Sequence, residues 1–435
     1  MALPLNPNPP DVLHVDRNAA FARAEQQAWP RLRGKPVGVT PFPSPGGAII
    51  SPSYELKAAG VKTAMRIRDA RLLSPNLILK QSNPPLYREV HRRFCRIFRD
   101  YSPDVYPKSI DEAVILLRGT PALKTRSMED IGLEIKARVK GEIGSWMLVN
   151  VGIGPNAFLA KTAAGLHKPD GLDRIDASNL HNTLSHLTLT DLTGINVRYE
   201  ARLNGAGITT PIQFLDAEAG FLCREVFHSI EGFHWYRRIR GYEAELFTHD
   251  RQTFGNSVQL SHAVSTERVL LGIMNKLCHK ASARMRQGGF ACRTVQLMLR
   301  YADGTFYRDH RTLDGPVSSI GDVFRTAVLC FNRQKGRGGL DQRAVTKVCI
   351  DLYNLTEAAC QQELFPDGEV ARDRRLTEAM DAVNRRYGLY ACTSALVAGL
   401  DEYVLDRIPF GVVQDLEELY ADQVPFPVPA ADWGA

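Results

Sequence analysis

Along the first 175 positions, apolar and polar residues alternate in patterns that predict strands and helices in turn. Residues 12–16 form a short β-branched run ending in Asp16, and residues 19–27 read as a helix. Residues 36–40 and 48–51 read as short strands, parted by a Pro/Gly turn at 43–47. A longer helix is expected over 86–101, because Leu86, Val90, Phe94, Ile97 and Phe98 recur on one face. Residues 113–117 predict a strand directly after an acidic pair. Residues 127–139 predict a helix that starts on a capping box, Ser127 and Asp130, with Ile131, Ile135 and Val139 as its stripe. A further strand covers 147–153. The mixture fits an α+β domain, a sheet with helices packed on it.

Residues 174–240 read instead as short helices with little strand. Within them, Leu192-Thr193-Gly194-Ile195-Asn196 leads to a helix ending near Leu203, then Gly207. This is the pattern of a helix-hairpin-helix, whose turn amides attract a phosphate, and equally of an ordinary helix connection. Residues 241–255 are polar and read as a linker. After them come a helix over 266–286, a hairpin of strands 294–301 and 305–312 around Asp303-Gly304, a helix near 323–331 and a strand over 344–352. Together these make a βαββαβ-like unit. Beyond it lie QQELF at 361–365, a charged helix near 374–386 and a weakly patterned tail.

The 435 residues suffice for two to four domains, and a hydrophobic content of 44% supports a sizeable core. No run of apolar residues is long enough to span a membrane, and the Pro- and Asn-rich start does not read as a secretory signal. Eight cysteines (Cys95, Cys223, Cys278, Cys292, Cys330, Cys349, Cys360 and Cys392) show no CxxC spacing. They read as buried, reduced thiols of a cytoplasmic protein rather than a zinc site or disulfide framework. The net charge of +6 matters less than its placement: residues 251–350 hold 16 Lys and Arg against 6 Asp and Glu. A basic domain beside a slightly acidic remainder suggests contact with a polyanion, although a soluble basic surface gives the same count.

Two acidic places carry candidate chemistry. Asp16 ends an apolar strand, and Asp111-Glu112 immediately precedes another. Carboxylates brought together there would repel and would invite hard divalent cations such as magnesium. The same letters also allow Asp16 to cap the helix after it and Asp111-Glu112 to form a solvated turn.

The wider motifs resemble a known family. HVDRNAAFARAEQ (residues 14–26), SPSYELKAAGVKTAM (51–65), KSIDEAVILL (108–117) and VNVGIGPNAFLAKTAAGLHKPDG (149–171) are similar, in order and spacing, to the conserved blocks of Y-family (translesion) DNA polymerases of the bacterial polymerase IV and UmuC-like group. The resemblance covers roughly residues 11–355 and implies a right-hand polymerase. Its palm would be 1–22 with 84–173, its fingers 23–83, its thumb with the helix-hairpin-helix 174–240, and its DNA-binding little finger 256–355 after the linker. A tail over 356–435 would follow.

By the same resemblance, Asp16, Asp111, Glu112 and the carbonyl of Arg17 would hold two Mg²⁺ ions. Phe21 would be the steric gate beneath the sugar, Ser51 would line the nucleotide pocket, and Tyr54, Lys57 and Lys161 would hold the dNTP triphosphate. Gly194 and Asn196, with Arg333, Lys335 and Arg337, would touch primer-template DNA. Gln361, Leu364 and Phe365 would bind the sliding clamp, the β subunit. The implied protein is a monomer at the nucleoid, makes no membrane contact, and acts in the SOS response to DNA damage as a low-fidelity enzyme without proofreading.

Five residues depart from the family pattern. Asn18 stands for a second acid, Arg17 for an apolar residue, Ala20 for an aromatic beside the gate, Lys57 for an arginine and Asn196 for a hairpin glycine. Lys57 loses the bidentate fork of arginine, and Asn196 is expected to keep the turn because Asn tolerates the left-handed conformation. Asn18, Ala20 and Lys57 keep open the reading of a weak or inactive relative serving as a clamp-bound scaffold, and a further alternative is a DNA-binding module without nucleotide chemistry.

Overall fold

The computed structural model describes residues 3–244, 252–335, 343–358, 368–387 and 390–400. They fall into two compact units, divided after residue 248.

In chain order the first unit holds strands β1 (Val12–Arg17), β2 (Val37–Thr40), β3 (Ser51–Pro52), β4 (Ile78–Gln81), β5 (Val105–Pro107), β6 (Glu112–Leu116), β7 (Val149–Gly154) and β8 (Leu172–Arg174). Five of them form one sheet in the order β5-β6-β1-β7-β8, so β1 lies central, antiparallel to both β6 and β7. Leu13 and Val15 are buried, and so are Val12 and His14 on the alternate positions, because a central strand is covered on both faces. On one face Val12 and Val114 pack on Ala157 and Ala160 of the helix Ala157–Leu166. Toward the other, Arg17 stacks over the ring of Phe94 in the helix Pro84–Arg99. The expected capping box at Ser127 and Asp130 is present and opens the helix Met128–Arg138.

A second, three-stranded sheet in the order β3-β2-β4 rests on its own small core of Ile49, Leu56, Val61, Ile67 and Ala70. The strand expected at 48–51 shrinks to Ser51–Pro52 plus a bridge from Ala48 to Arg66. The helices of residues 180–239 gather round a third core that includes Leu203, Phe214, Phe227 and Trp235.

The second unit contains β9 (Thr253–Val264), β10 (Phe290–Tyr301), β11 (Phe306–Val317) and β12 (Val345–Glu357), in the antiparallel order β11-β10-β12-β9. With the helices Glu267–Gln287 and Ile320–Lys335 this is the expected βαββαβ unit. The segment read as linker up to 255 already contains the start of β9. The polar letters there misled because β9 is an edge strand; Phe254, Val258 and Leu260 are buried while Thr253, Ser257 and Gln259 stay exposed. The charged helix expected near 374–386 spans Gly368–Tyr387 and packs back on this unit: Arg286 grips Asp381 through two bonds of 2.7 Å, and Asn384 meets His279 at 3.2 Å. The described cysteines are free thiols, and burial pushes Cys292 up to about 12. Among the described residues no helix is long and apolar enough to cross a membrane.

Candidate active site

Strand register brings the acids together. Asp16 on β1 lies directly opposite Glu112 on β6, and Arg17 N donates to the Asp111 carbonyl at 2.9 Å. Residues far apart in the chain therefore share one end of the sheet. Asp16 does not cap the following helix: its N-cap is Ala19, in the left-handed region at φ 46, with no side-chain cap bond.

Among the described residues, however, no group of three acid, His or Cys side chains is arranged for a metal. Each acid has its own partner instead. Asp16 Oδ2 accepts from Lys168, Asp111 Oδ1 from Ser109 Oγ at 2.5 Å, and Glu112 from Lys161 at 2.8 Å and His14 Nε2 at 3.2 Å. The strongly negative pocket expected from the sequence is thus offset by the protein's own cations. Burial would raise the Glu112 carboxyl, but the His14 hydrogen bond and charge, with Lys161, hold it down at about 2. The donor set remains one of hard carboxylate oxygens at a half-exposed end of the sheet, which suits Mg²⁺ once the lysines give way. Arg17 is buried away from it: burial first, opposed by Asp111, brings its guanidinium down to about 10. Only its backbone stands at the site.

The nucleotide candidates surround the same end. Phe21 is 4% exposed and stacks on Tyr87 at 4.4 Å, and the Tyr87 hydroxyl donates to the buried Glu25 at 2.8 Å. Ser51 Oγ accepts from Ala22 N at 3.3 Å, which fastens β3 to the helix carrying Phe21. Tyr54 and Lys57 share the short helix Tyr54–Ala58, with the Lys57 ammonium 4.5 Å from the Tyr54 ring and the Arg23 guanidinium 5.4 Å from it. Burial, then the charge of Asp16, raises the Tyr54 hydroxyl, which places this helix within electrostatic reach of the acids. Lys161 projects from the helix Ala157–Leu166 to Glu112. Sequence reasoning missed His14 and Lys168. The signal was there: His14 is two residues before Asp16 and so on the same strand face, and Lys168 sits inside the fourth motif.

Comparison with known proteins gives the family. The impB/mucB/samB family model matches residues 15–165, and that family's C-terminal domain matches residues 251–364. DNA polymerase IV of Pelotomaculum thermopropionicum is 33% identical over 394 residues, 88% of this chain and 94% of its own length. The chain belongs to the Y-family DNA polymerases. Within that family, DNA polymerase IV 1 of Bacillus subtilis is 30% identical over 382 residues, 87% of this chain and 90% of its own. A solved Y-family DNA polymerase chimera of Dbh and Dpo4 shares the fold with a TM-score of 0.67 at 22% identity, covering 79% of this chain and 98% of its own.

Two other regions of this Y-family chain depart from the residue-level expectations. Among the helices of residues 180–239, Gly194 takes φ 95 and lies so close to Trp235 that a Cβ would come within 3.2 Å of its ring. Asn196 is not left-handed. It is extended, and its side chain accepts from Arg198 N and Tyr199 N at 3.0 Å each, capping the helix Val197–Gly205. The turn persists through Gly194, and Asn196 already occupies two amides that could otherwise face a phosphate. In the second unit, Arg333 pairs with Asp309 at 3.5 Å on the helix side of the sheet. The Lys335 side chain, Arg337, Gln361, Leu364 and Phe365 lie outside the described residues. The open face carries a different basic row: register sets Arg300 between Lys347 and Phe306, with Arg308 opposite Met298 one step along.

Proposed function

We propose that this chain is a template-directed DNA polymerase of the translesion type, adding dNTPs to a primer 3′-hydroxyl with two Mg²⁺ ions. The observation that carries the reading is the β1–β6 register that sets Asp16 opposite Glu112, with Asp111 hydrogen-bonded alongside. Asp16, Asp111, Glu112 and the Arg17 carbonyl would hold the ions. Held there, such ions would supply positive charge to the primer 3′-hydroxyl and to the pyrophosphate leaving group. Tyr54, Lys57 and Lys161 grip the triphosphate, Ser51 lines the pocket and Phe21 lies under the sugar. The residues expected as palm (1–22, 84–173) and fingers (23–83) would supply this site, while the thumb (174–240), through its helix-hairpin-helix at Gly194, and the basic little finger would follow the duplex through phosphate contacts. The experiment is primer extension by the purified chain with Mg²⁺ and dNTPs; DNA binding without any extension would leave only a scaffold or binding module.

Support for the gate is the stacking of Phe21 on Tyr87, which fixes the ring although the neighbouring Ala20 is small. A Phe21→Val chain should therefore lose discrimination against ribonucleotides by about a hundredfold. The readout is the ratio of kcat/KM for dATP and ATP opposite thymine, and an unchanged ratio removes Phe21 from that role.

The further partner is a sliding clamp, through Gln361, Leu364 and Phe365, with the protein working as a monomer at the bacterial nucleoid. Two apolar side chains entering a groove contribute roughly 2 kcal/mol each. Leu364→Ala with Phe365→Ala is thus expected to abolish clamp-stimulated synthesis and to leave unstimulated synthesis intact; retained stimulation rejects the assignment.

A further inference from the structure

Arg23 lies two residues after Phe21 on the helix Ala20–Ala28, and the reading above gives it no task. Its guanidinium carbon stands 5.4 Å from the Tyr54 ring and 5.3 Å from the Trp146 ring, both within reach of a cation over an aromatic face. One terminal nitrogen donates to the Trp146 carbonyl at 3.2 Å. Nε is buried and has no hydrogen-bond partner among the described residues. Burial lowers this guanidinium, against the charge of Glu55. A half-buried cation with a donor unmet is costly to the fold, so its place between two rings calls for another use.

The two rings are held very differently. Trp146 N donates to Gln27 Oε1 at 2.9 Å and Trp146 Nε1 to Gln26 Oε1 at 3.0 Å, and both glutamines are buried. The Arg33 guanidinium stands 5.9 Å from the same ring. A Cβ on Gly144 would come within 2.2 Å of the Gln27 side chain, so the backbone just before Trp146 is close-packed as well. Trp146 is therefore a fixed wall. Tyr54 stands on a lighter frame, a helix of five residues beside the small core of Ile49 and Leu56.

The Tyr54 hydroxyl end lies by Asn18, which donates to Asn150 Oδ1 and accepts from Asp170 N, each at 2.9 Å. Two cations bound the ring itself, Lys57 at 4.5 Å and Arg23. Lys57 belongs to the same short helix and moves with Tyr54. Of the two, only Arg23 refers the ring to the fixed wall.

Resting on the polymerase reading, we propose that Arg23 is a positioning residue for the incoming nucleotide: its guanidinium, layered between the Trp146 and Tyr54 rings, holds the Tyr54 hydroxyl where it meets the triphosphate. The arrangement also answers the exchange at Lys57. Where the family pattern has a guanidinium, this chain has an ammonium, which carries charge but no flat face. Arg23 supplies that face from the neighbouring helix. It touches no phosphate itself and acts through Tyr54.

The test uses the full chain with Arg23→Met, Arg23→Lys, Trp146→Leu and the pair Arg23→Met with Trp146→Leu. KM and kcat for dATP are measured on primed template at saturating Mg²⁺, beside the inhibition constant of inorganic tripolyphosphate and the Kd for primed template. Arg23→Met is expected to raise the KM and the tripolyphosphate constant together by about tenfold, the scale of one desolvated cation–ring contact, with kcat and the DNA Kd within about twofold of the parent. Arg23→Lys keeps the charge without the plane and should stay about fivefold above the parent. Trp146→Leu should act like Arg23→Met, and the pair should be no worse than either alone, because each breaks the same layer. Multiplied effects in the pair, full recovery by lysine, or an unchanged KM overturns the proposal. So does a tripolyphosphate constant that stays put while the KM for dATP rises, which would place Arg23 with the gate at the sugar. A merely structural contact would lower kcat and weaken DNA binding along with the KM, and that result overturns it too. A parent chain that extends no primer sinks the polymerase reading itself and this assignment with it, whereas a parent that extends isolates Arg23.

Discussion

Asp111→Ala is expected to abolish primer extension while the chain still folds and binds primed template. The side chain is half-buried and bonded only to Ser109 Oγ, within its own turn. What ties β6 to β1 at this point is the Asp111 carbonyl, which alanine keeps. The fold should therefore persist, although the buried Arg17 loses the first of the charges that oppose its burial. Catalysis should change greatly, because the role proposed for Asp111 is to hold metal ions whose positive charge would be needed most in the transition state. A loss of at least about a thousandfold in single-turnover extension, near 4 kcal/mol, is the expected scale. Extension within tenfold of the parent would remove Asp111 from the chemistry. Asp111 is a cleaner choice than Glu112. The Glu112 carboxyl is held near 2, below its ordinary 4.5. A depressed carboxylate stabilises the fold above the unfolded value and loses that contribution as pH falls from about 4.5 toward 2. Replacing Glu112 at neutral pH would thus also strand His14 and Lys161, mixing stability with rate.

Asp16 and Asp111-Glu112 stood out in the sequence at the ends of apolar strands, but those letters alone also allowed a helix cap and a solvated turn, and it was the wider motifs that chose between the readings. Capping at Ser127 and the βαββαβ unit were readable because each is written within a few neighbouring letters. What stayed hidden depends on register and long-range bonds. Lys168 acquires its place from Asn18 and Asn150, far away in the chain. The basic row of Arg300, Arg308 and Lys347 exists only once three strands are aligned, whereas the dense run from Arg333 drew attention through letters alone. At Asn196 the reasoning chose the wrong property of asparagine. Its left-handed tolerance is unused, and its side-chain oxygen does the work as a helix cap. The departures at Asn18 and Asn196 thus have structural uses of their own, and neither argues for an inactive relative.

Gly152→Ala should cost the first unit about 3 kcal/mol or more, a lowering of the melting temperature by roughly 6–12 °C in a domain of this size. Gly152 lies in β7 opposite His14 of β1. Its added Cβ would come within 1.9 Å of the Ala160 carbonyl and 2.3 Å of Ala164 N. Both are backbone atoms of the helix Ala157–Leu166, so no side chain can swing aside. The helix must lift, and it carries Lys161, whose ammonium reaches Glu112 at 2.8 Å. Stability and triphosphate binding should therefore fall together, seen as a lower melting temperature and a higher KM for dNTPs. Gly165→Ala on the same helix is the control. Nothing lies within 4 Å of its added Cβ, so the substitution should stabilise by up to about 1 kcal/mol through helix propensity alone. Equal responses from the two glycines would mean that close helix–strand contact is not what fixes Lys161 over the acids. Unequal ones would show that a missing methyl group beneath Ala160 sets the height of Lys161 over the acids.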